Sequence, residues 1–367
     1  MKLTCGIVGL PNVGKSTLFN CLTAAKAEAA NYPFCTIDPN VGIVNVPDER
    51  LQALAKIINP EKFIPAVVSF VDIAGLVKGA SQGEGLGNKF LSHIREANAI
   101  CHMVRCFEDE NVVHVEGGVN PLHDVEIIET ELILKDFETV EKLLHKNQKN
   151  ARGADKLAKK LVPFLTDLLA HLDSGKLART FKLDTNDEDI KQAMYEMYLL
   201  TSKPTLFIAN VSEDDLLKDN IHVQKLKEFA CSRNDEVVTI CAKIEEELKD
   251  LNPEERIEFL KDLNIDSAGL DRVIKKAYKM LDLCTYLTAG VKEVRAWTYK
   301  CGSKAPEAAG VIHTDFERGF IKAEIISFED FIAQGGEAKA KAAGKMRTEG
   351  KEYVVQDGDV IHFRFNV

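Results

Sequence analysis

The segment GLPNVGKST, Gly9 to Thr17, limits the possible folds of this chain more than any other feature. It matches the pattern G-x-x-x-x-G-K-[ST], and it lies between a strand-like run and a helical pattern, LTCGIVGL and TLFNCLTAAKAE. Glycines in such a loop let backbone N–H groups surround a phosphate, and the start of the helix adds the positive end of its dipole. The pattern in this context therefore predicts an α/β domain with a phosphate site. The residues predicted to contact a nucleotide there are Asn12, Val13, Gly14, Lys15, Ser16 and Thr17.

Two of these residues and a second pattern predict a magnesium site. The Lys15 ammonium should reach the β- and γ-phosphates, where it also has a catalytic role, and the Ser16 hydroxyl should ligate Mg²⁺. The run SFVDIAGL contains a D-x-x-G pattern, in which Asp72 is expected to hold the Mg²⁺ shell and the Gly75 N–H to sense the γ-phosphate. A switch threonine should complete the site. The candidates in the interval are Thr17, Thr23 and Thr36.

The residue after Gly75 bears on the hydrolysis rate. It is Leu76, whereas Ras-like enzymes have a glutamine there that orients the attacking water. A leucine side chain neither donates nor accepts a hydrogen bond, so another group or a partner must position the water. The candidate is His114 in FEDENVVHVEGG, because a neutral imidazole can hold a water, and the alternative is that His114 is only a loop residue. Unassisted turnover is expected to be slow, on the order of 10⁻⁴ to 10⁻² s⁻¹.

Apolar runs alternate with helical patterns over much of the chain, namely LTCGIVGL, AVVSFVDIA, AICHMVRCF, PTLFIAN and EVVTICA. They predict a mostly parallel sheet covered on both faces. The interval from about Asp124 to Leu200 is helical and too long for one crossover helix, so we interpret it as an inserted helical hairpin. Residues 140–182 contain ten Lys and Arg against four acidic residues, a local charge of +6 in a chain of −10. This stretch is either a solvated helical face or a surface that contacts phosphates.

The C-terminal part has a different texture. Short strand-like runs follow an amphipathic helix, namely YLTAGVKEVRAWTY, FIKAEIIS, EYVVQDG and DVIHFRFNV, with one helical stretch, SFEDFIAQG. They predict a small α+β domain. The nine cysteines include no C-x-x-C pair, which favours buried, reduced thiols. No apolar run approaches the roughly 20 residues that span a bilayer, so we expect a cytoplasmic protein with no membrane partner.

These motifs together resemble the YchF/Obg-like ATPase family, and the resemblance covers essentially the whole chain. It rests on GLPNVGKST, ANYPFCTIDPNVG, DIAGLVKGASQGEGLGN, IANVSE, YLTAGVKEVRAW and AAGVIHTDFERGFIKAE. It implies a P-loop NTPase domain at residues 1–125 and 200–280, a coiled-coil-like α-helical insertion at 126–199, and a C-terminal β-grasp domain of the TGS type at 281–367. It also favours Thr36 as the switch hydroxyl and ATP as the substrate.

The segment KPTLFIANVSEDD, at the end of a predicted strand, contains the residues that bear on which nucleotide base the protein binds. Guanine-nucleotide proteins have Asn-Lys-x-Asp there, and the Asp carboxylate accepts two protons that adenine does not offer. Here Asn210 is followed by Val211 and Glu213, and the longer Glu213 side chain should spoil the paired geometry. Asn210 can still bond a purine, the Cys241–Lys243 segment should form another wall, and Phe107 is either a stacking neighbour or a core residue. The chemistry predicts relaxed guanine specificity, and with the resemblance it predicts that ATP is preferred over GTP.

Binding and slow cleavage of ATP next to switch loops indicate a molecular switch. The first hypothesis is a Mg²⁺-dependent switch ATPase that contacts the ribosome or structured RNA through the basic insertion and the TGS-type domain. The alternative is a nucleotide-gated protein-interaction regulator, or a GTPase, that does not act through RNA. The net charge of −10 argues against a protein that coats nucleic acid without specificity.

Overall fold

A computed structural model describes residues 3–24, 40–73, 86–109, 118–183 and 186–366. Its strands, in chain order, are β1 (Thr4–Val8), β2 (Val41–Asn45), β3 (Lys62–Ile64), β4 (Val67–Asp72), β5 (Ala99–Arg105), β6 (Thr205–Asn210), β7 (Glu236–Ile240), β8 (Leu283–Ala289), β9 (Glu293–Lys300), β10 (Phe320–Ile326), β11 (Arg347–Glu349) and β12 (Val360–Phe365). Its α-helices are α1 (Lys15–Ala24), α2 (Glu49–Ile58), α3 (Leu86–Glu96), α4 (Pro121–Ala151), α5 (Lys156–Asp173), α6 (Glu188–Glu196), α7 (Ile221–Ser232), α8 (Ala242–Lys249), α9 (Pro253–Asp262), α10 (Gly269–Met280), α11 (Ala305–Gly310), α12 (Thr314–Arg318), α13 (Phe328–Gln334) and α14 (Glu337–Ala342). No helix in the described ranges is long and apolar enough to cross a membrane.

The chain divides into two compact units. The first contains the chain up to Ala24, a short piece that ends at Gly42, and Ser69–Val273. The second contains Ile43–Val68 and the chain from Ile274 onward. The sequence patterns do not predict that Ile43–Val68 groups with the C-terminal part. Within the second unit this grouping is visible in β3, which pairs in parallel with β9.

A sheet organises the first unit, and its strands β4, β1, β5, β6 and β7 lie side by side in that order. The pairs β1–β4, β1–β5, β5–β6 and β6–β7 are all parallel, which confirms the predicted mostly parallel sheet. Strand β5 is buried at every position, as expected for a central strand between two layers of helices. Strand β1 has β4 on one side and β5 on the other, so the chain changes sides of the sheet between β4 and β5. Open α/β sheets bind ligands at such a switch point.

Helices α4 and α5 form a long antiparallel pair after β5. Asn120 begins α4, because its side chain accepts the His123 N–H and Pro121 occupies the first turn, where no N–H is needed. Asp155 caps α5 in the same way through the Ala158 N–H. The second half of α4 packs on α5 through a buried apolar cluster that includes Val140, Leu144, Phe164, Leu168 and Leu172. The 31 residues of α4 span roughly 46 Å at 1.5 Å per residue.

A buried carboxylate joins α4 to the segment before β6. Asp136 is 1% exposed, and it accepts the N–H groups of Leu200 at 2.7 Å and Thr201 at 2.8 Å. The Thr201 hydroxyl also donates to Asp136 at 2.6 Å, and the same hydroxyl accepts the Ala178 N–H at 2.9 Å. Burial raises the pKa of Asp136, although these hydrogen bonds oppose the shift. The carboxylate therefore satisfies two backbone donors of one turn, and the Thr201 hydroxyl connects it to a third donor, the Ala178 N–H.

Two ion pairs attach the same helical region to α7 and β7. Arg233 donates to both carboxylate oxygens of Glu129 on α4, each at 2.8 Å. Arg179, after α5, donates to both oxygens of Asp235, each at 2.5 Å. Because the Arg179 contact pairs two guanidinium nitrogens with two carboxylate oxygens, it fixes orientation as well as distance.

Buried His102 makes stability depend on pH. This β5 side chain is 3% exposed, and burial lowers its pKa from 6.5 to about 4. In the unfolded chain His102 is protonated below pH ~6.5, whereas in the folded chain it stays neutral down to about pH 4. The free energy of unfolding therefore falls as pH is lowered through this window. We expect a contribution of ~1.4 kcal/mol per pH unit to the urea-derived free energy of unfolding. His102→Gln should flatten this part of the pH profile, and an unchanged slope would contradict the assignment.

The second unit contains a sheet in the order β11-β10-β12-β8-β9-β3. β10 pairs antiparallel with β11 and β12, and β8 pairs antiparallel with β9. An apolar core lies between the sheet and α11, and it includes Tyr286, Tyr299, Ala308, Ile325 and Phe363. The prediction that this part of the chain combines short strands with helices is confirmed. The predicted helix in SFEDFIAQG is also confirmed and is α13.

Two sequence-based expectations for this unit are wrong. EYVVQDG does not form a strand, because only Val354 makes an isolated bridge, to Lys304, and the chain then turns at Gly358. The cysteines are not all reduced, because Cys284 and Cys301 form a disulfide that joins the starting end of β8 to the residue after β9. Spacing alone gave no sign of this pair, since the two cysteines are separated by 17 positions in the sequence. The free cysteines in the described ranges are buried except Cys231.

Candidate nucleotide-binding site

The phosphate loop connects β1 to α1 and depends on one glycine. Gly14 has φ +96°, a conformation that a residue with a Cβ adopts only with strain. A Cβ at this position would also lie 2.6 Å from Asn210 Nδ2 and 3.0 Å from Met103 Cε. The Gly14 carbonyl accepts the Leu18 N–H at 3.0 Å, which starts the first turn of α1. The loop can therefore curve tightly only because glycine occupies position 14.

Lys15 and Asp72 meet at the end of this loop. Lys15 Nζ lies 2.8 Å from Asp72 Oδ1, and the lysine is only 9% exposed. Asp72 ends β4 beside Ile7 of β1, so the parallel register brings its carboxylate to the phosphate loop. Ser16 is exposed and Thr17 half-buried at the start of α1. A carboxylate and a hydroxyl are hard oxygen donors of the kind that Mg²⁺ prefers, so Asp72 and Ser16 fit the predicted metal ligands.

Asn210 braces the loop from the side, a role that the sequence patterns do not predict. It is 4% exposed at the end of β6, and its Nδ2 donates to the Val13 carbonyl at 2.9 Å. Its Oδ1 accepts the Ala242 N–H at 3.0 Å. One side chain therefore connects the phosphate loop with the start of α8, which lies within the predicted Cys241–Lys243 wall. The predicted contact of Asn210 with a purine stays a prediction, because this side chain is only 4% exposed.

The other predicted base contacts lie in different environments. Glu213 is exposed, so its carboxylate is accessible to a nucleotide. Val211 is 2% exposed and its side chain belongs to an apolar core cluster, so its predicted contact with the nucleotide stays a prediction. Phe107 is half-buried, and the guanidinium of Arg105 lies 4.7 Å from its ring centroid. Arg105 is 1% exposed, and its Nε donates to the Phe107 carbonyl at 3.0 Å, which positions the segment after β5. No residue pattern points to Arg105 in advance.

Three predicted site residues, Thr36, Gly75 and His114, lie outside the described residues. Their roles as switch hydroxyl, γ-phosphate sensor and water-positioning group therefore stay predictions. The described part of the site comprises the phosphate loop, Asp72, the Asn210 brace and the Glu213 segment. This arrangement can surround a phosphate chain with backbone donors and one ammonium, and it can present a carboxylate to a metal ion.

The chain is similar to known proteins along its length. The family model MMR_HSR1, described as "50S ribosome-binding GTPase", matches residues 4–138. The model YchF-GTPase_C, described as a protein of unknown function, matches residues 283–366. The curated "Ribosome-binding ATPase YchF" of Bacillus subtilis is 58% identical over 369 residues, with 100% of both chains covered. The proteins of the same name from Escherichia coli O157:H7 and Mycoplasma genitalium are 54% and 49% identical, again with full coverage of both chains.

A solved structure extends the likeness to the fold. The structure described as "Structure of the Schizosaccharomyces pombe YchF GTPase" has a TM-score of 0.87 and 42% sequence identity, and the match covers 99% of this chain and 98% of that one. The names of these relatives disagree on the nucleotide, since the bacterial relatives are called ATPases and the fission-yeast protein a GTPase. They agree on the family. With full-length identity well above half to its bacterial relative and the same overall fold, the chain belongs to the YchF family.

Proposed function

We propose that this protein is a cytoplasmic, Mg²⁺-dependent switch ATPase that binds ATP more tightly than GTP, hydrolyses it slowly and associates with the ribosome. The observation that carries the proposal is the meeting of Lys15 and Asp72 at 2.8 Å beside the phosphate loop. The names of the relatives, "Ribosome-binding ATPase YchF", support the ATPase activity and the ribosome as partner. As part of the proposal we keep the division into residues 1–125 with 200–280, 126–199 and 281–367.

The proposed chemistry uses few groups of the chain. The loop N–H groups hold the phosphates, and the Lys15 ammonium moves from Asp72 to the β- and γ-phosphate oxygens. Asp72, Ser16 and Thr36 would hold Mg²⁺, which when bound neutralises phosphate charge. Because position 76 is Leu, water positioning falls to His114 or to a group that the partner supplies. A low basal rate that ribosomes increase is the expected behaviour.

The direct test of the proposal is a pair of equilibrium titrations with ATP and GTP in Mg²⁺, each repeated with EDTA. Tighter binding of ATP, and weaker binding after removal of Mg²⁺, is the expected result. Tighter binding of GTP would favour the alternative GTPase and remove the substrate assignment.

Glu213 is expected to determine part of the base preference. In Glu213→Asp the carboxylate has the length that guanine recognition requires, so GTP should gain about tenfold in affinity relative to ATP through charge-assisted hydrogen bonds. Asp214→Glu is the matched control, because Asp214 is the exposed neighbour and the change again alters one methylene. The measurement is the ratio of the ATP and GTP dissociation constants. An unchanged ratio in Glu213→Asp would show that this carboxylate does not read the base.

The end of the α4–α5 pair is the proposed contact with ribosomal RNA. Five basic residues around the turn are exposed and have no ion-pair partner in the described part of the chain: Lys146, Lys149, Arg152, Lys156 and Lys159. Other members of the basic stretch are already neutralised, since Lys160 lies 2.7 Å from Asp187 and Arg179 pairs with Asp235. The unpaired set can therefore contact phosphates without first breaking an internal contact.

Charge reversal at this turn should weaken ribosome binding. Lys156→Glu with Lys159→Glu is expected to lower affinity about tenfold at 50 mM salt. The slope of log affinity against log salt concentration should fall by the amount that about two phosphate contacts contribute. Lys218→Glu with Lys225→Glu is the control, because both lysines are exposed and lie elsewhere in the first unit. Sedimentation with ribosomes measures the effect. Equal losses in the two double variants would indicate a general charge effect. In a separate test, binding partners that remain after nuclease treatment of a cell extract would favour the protein-interaction alternative.

A further inference from the structure

Strand β12 has one covered and one open edge. On one side it pairs with β10 along its length, from Phe365 beside Phe320 to Val360 beside Ile326. On the other side it pairs with β8 only at Val360, which lies beside Leu287, and β8 ends soon afterwards at Ala289. Among the described residues, no strand therefore lies beside the end of β12, from Phe363 to Phe365.

The backbone groups on the open side can be assigned from their neighbours. The Asp359 carbonyl accepts the Leu287 N–H at 2.8 Å, so position 359 faces β8. The Asn366 N–H donates to the Gly319 carbonyl at 2.9 Å, so position 366 faces β10. Backbone groups alternate between the two edges of a strand, so the N–H groups of Phe363 and Phe365 face the open side. Unpaired edge groups of this kind are a template for another strand.

An apolar cleft lies along this edge. Its volume is about 330 Å³, and its walls include Thr288 of β8, Gly290 directly after β8, and Phe363 and Phe365 of β12. Phe316 of α12 also lines the cleft, and its ring stacks on Phe365 with centroids 3.7 Å apart. Phe365 nevertheless remains 36% exposed. An open strand edge next to an apolar cleft is the arrangement by which a sheet binds an extended peptide.

The charges around the cleft indicate which charge a bound peptide should carry. Its charged lining residues include Glu293, Glu324 and Glu337 but no lysine or arginine. Glu324 is already neutralised by Lys322 and Arg364, each at 3.0 Å. Glu293 has only Arg295 at 3.9 Å, and exposed Glu337 has no ion-pair partner in the described ranges. Two carboxylates therefore remain available for a cation.

We propose that the open edge of β12 and this cleft bind an extended, basic segment of a partner protein. The segment adds a strand beside Phe363–Phe365, places alternate apolar side chains in the cleft, and directs Lys or Arg side chains to Glu293 and Glu337. All these residues belong to the second unit, and none belongs to the nucleotide site. The surface therefore provides protein recognition in addition to the proposed nucleotide switch.

The first test uses a fluorescein-labelled peptide, Lys-Val-Lys-Val-Lys-Val-Lys, and two copies N-methylated at every valine or at every lysine amide. All three carry the same charge, but each methylated copy has one edge that cannot donate hydrogen bonds. With the full chain, anisotropy should show binding of the parent peptide and a loss of about tenfold or more for at least one methylated copy. Absence of binding by the parent, or equal binding by all three peptides, would overturn the proposal.

Hydrogen exchange and one matched pair of variants test the location. In the free protein the amides of Phe363 and Phe365 should exchange faster than those of His362 and Arg364, and the peptide should slow them. Glu337→Lys should weaken peptide binding about two- to fivefold, whereas Glu329→Lys, on an exposed residue of α13 outside the cleft, should not. Equal protection of all four amides, or equal effects of the two variants, would contradict this site.

Discussion

Gly14→Ala should abolish most nucleotide binding while the chain remains folded. The new Cβ would require φ +96°, a strained conformation for alanine, and would lie 2.6 Å from Asn210 Nδ2. The loop and the Asn210 brace cannot both keep their places, so the backbone donors and Lys15 move away from the phosphates. We expect ATP and GTP to lose about 100-fold or more in affinity, the order of loss that a misplacement of ~1 Å produces.

Isothermal titration of ATP into both proteins measures this effect, and circular dichroism checks the fold. Gly118→Ala is the matched control, because a Cβ there would meet nothing within 4 Å. It should bind like the unaltered chain. If Gly14→Ala bound ATP normally, the phosphate loop would have to be placed elsewhere.

Asp136→Ala should lower the free energy of unfolding of the first unit by about 2–4 kcal/mol. The alanine leaves the N–H groups of Leu200 and Thr201 buried without their acceptor, and it also frees the Thr201 hydroxyl. Burying an unsatisfied donor costs more than the net contribution of the hydrogen bond itself. Asp136→Asn keeps one oxygen acceptor and should give an intermediate loss.

Urea unfolding followed by far-ultraviolet circular dichroism measures these values. Asp167→Ala on α5 is the control, because Asp167 is exposed and should change stability by less than about 0.5 kcal/mol. Similar losses for Asp136→Ala and Asp167→Ala would mean that the Asp136 network does not hold α4 to the segment before β6.

The sequence predicts those parts of this molecule that depend on local pattern. The phosphate loop follows from glycines, Lys15 and their place between a strand and a helix. Continuous apolar runs identify β1, β4, β5, β6 and β7, because strands covered on both faces need apolar side chains throughout. The helical interval is equally visible, since its pattern continues for many turns.

Features that depend on distant residues were not predictable in this way. The short strand β2 has a partly exposed, alternating pattern, and the assignment of Ile43–Val68 to the second unit depends on pairing with β9, far along the chain. The Asn210 brace depends on Val13 and Ala242, which no spacing rule connects. EYVVQDG has the composition of a strand, but Gly358 and a hydrogen-bonded turn end it before a ladder can form.

The bidentate Arg179–Asp235 contact has a mechanical consequence. Asp235 immediately precedes β7, and β7 ends next to Cys241, whose neighbour Ala242 donates to Asn210. A movement of the segment after α5 that carries Arg179 would therefore act on one end of β7, and the residues that follow β7 are linked to the phosphate loop through Asn210. A force applied at the exposed turn between α4 and α5, some tens of ångströms along α4, would reach the nucleotide site through these few contacts. The region around the helical pair is thus connected to the phosphate loop through Arg179, Asp235, β7 and Asn210.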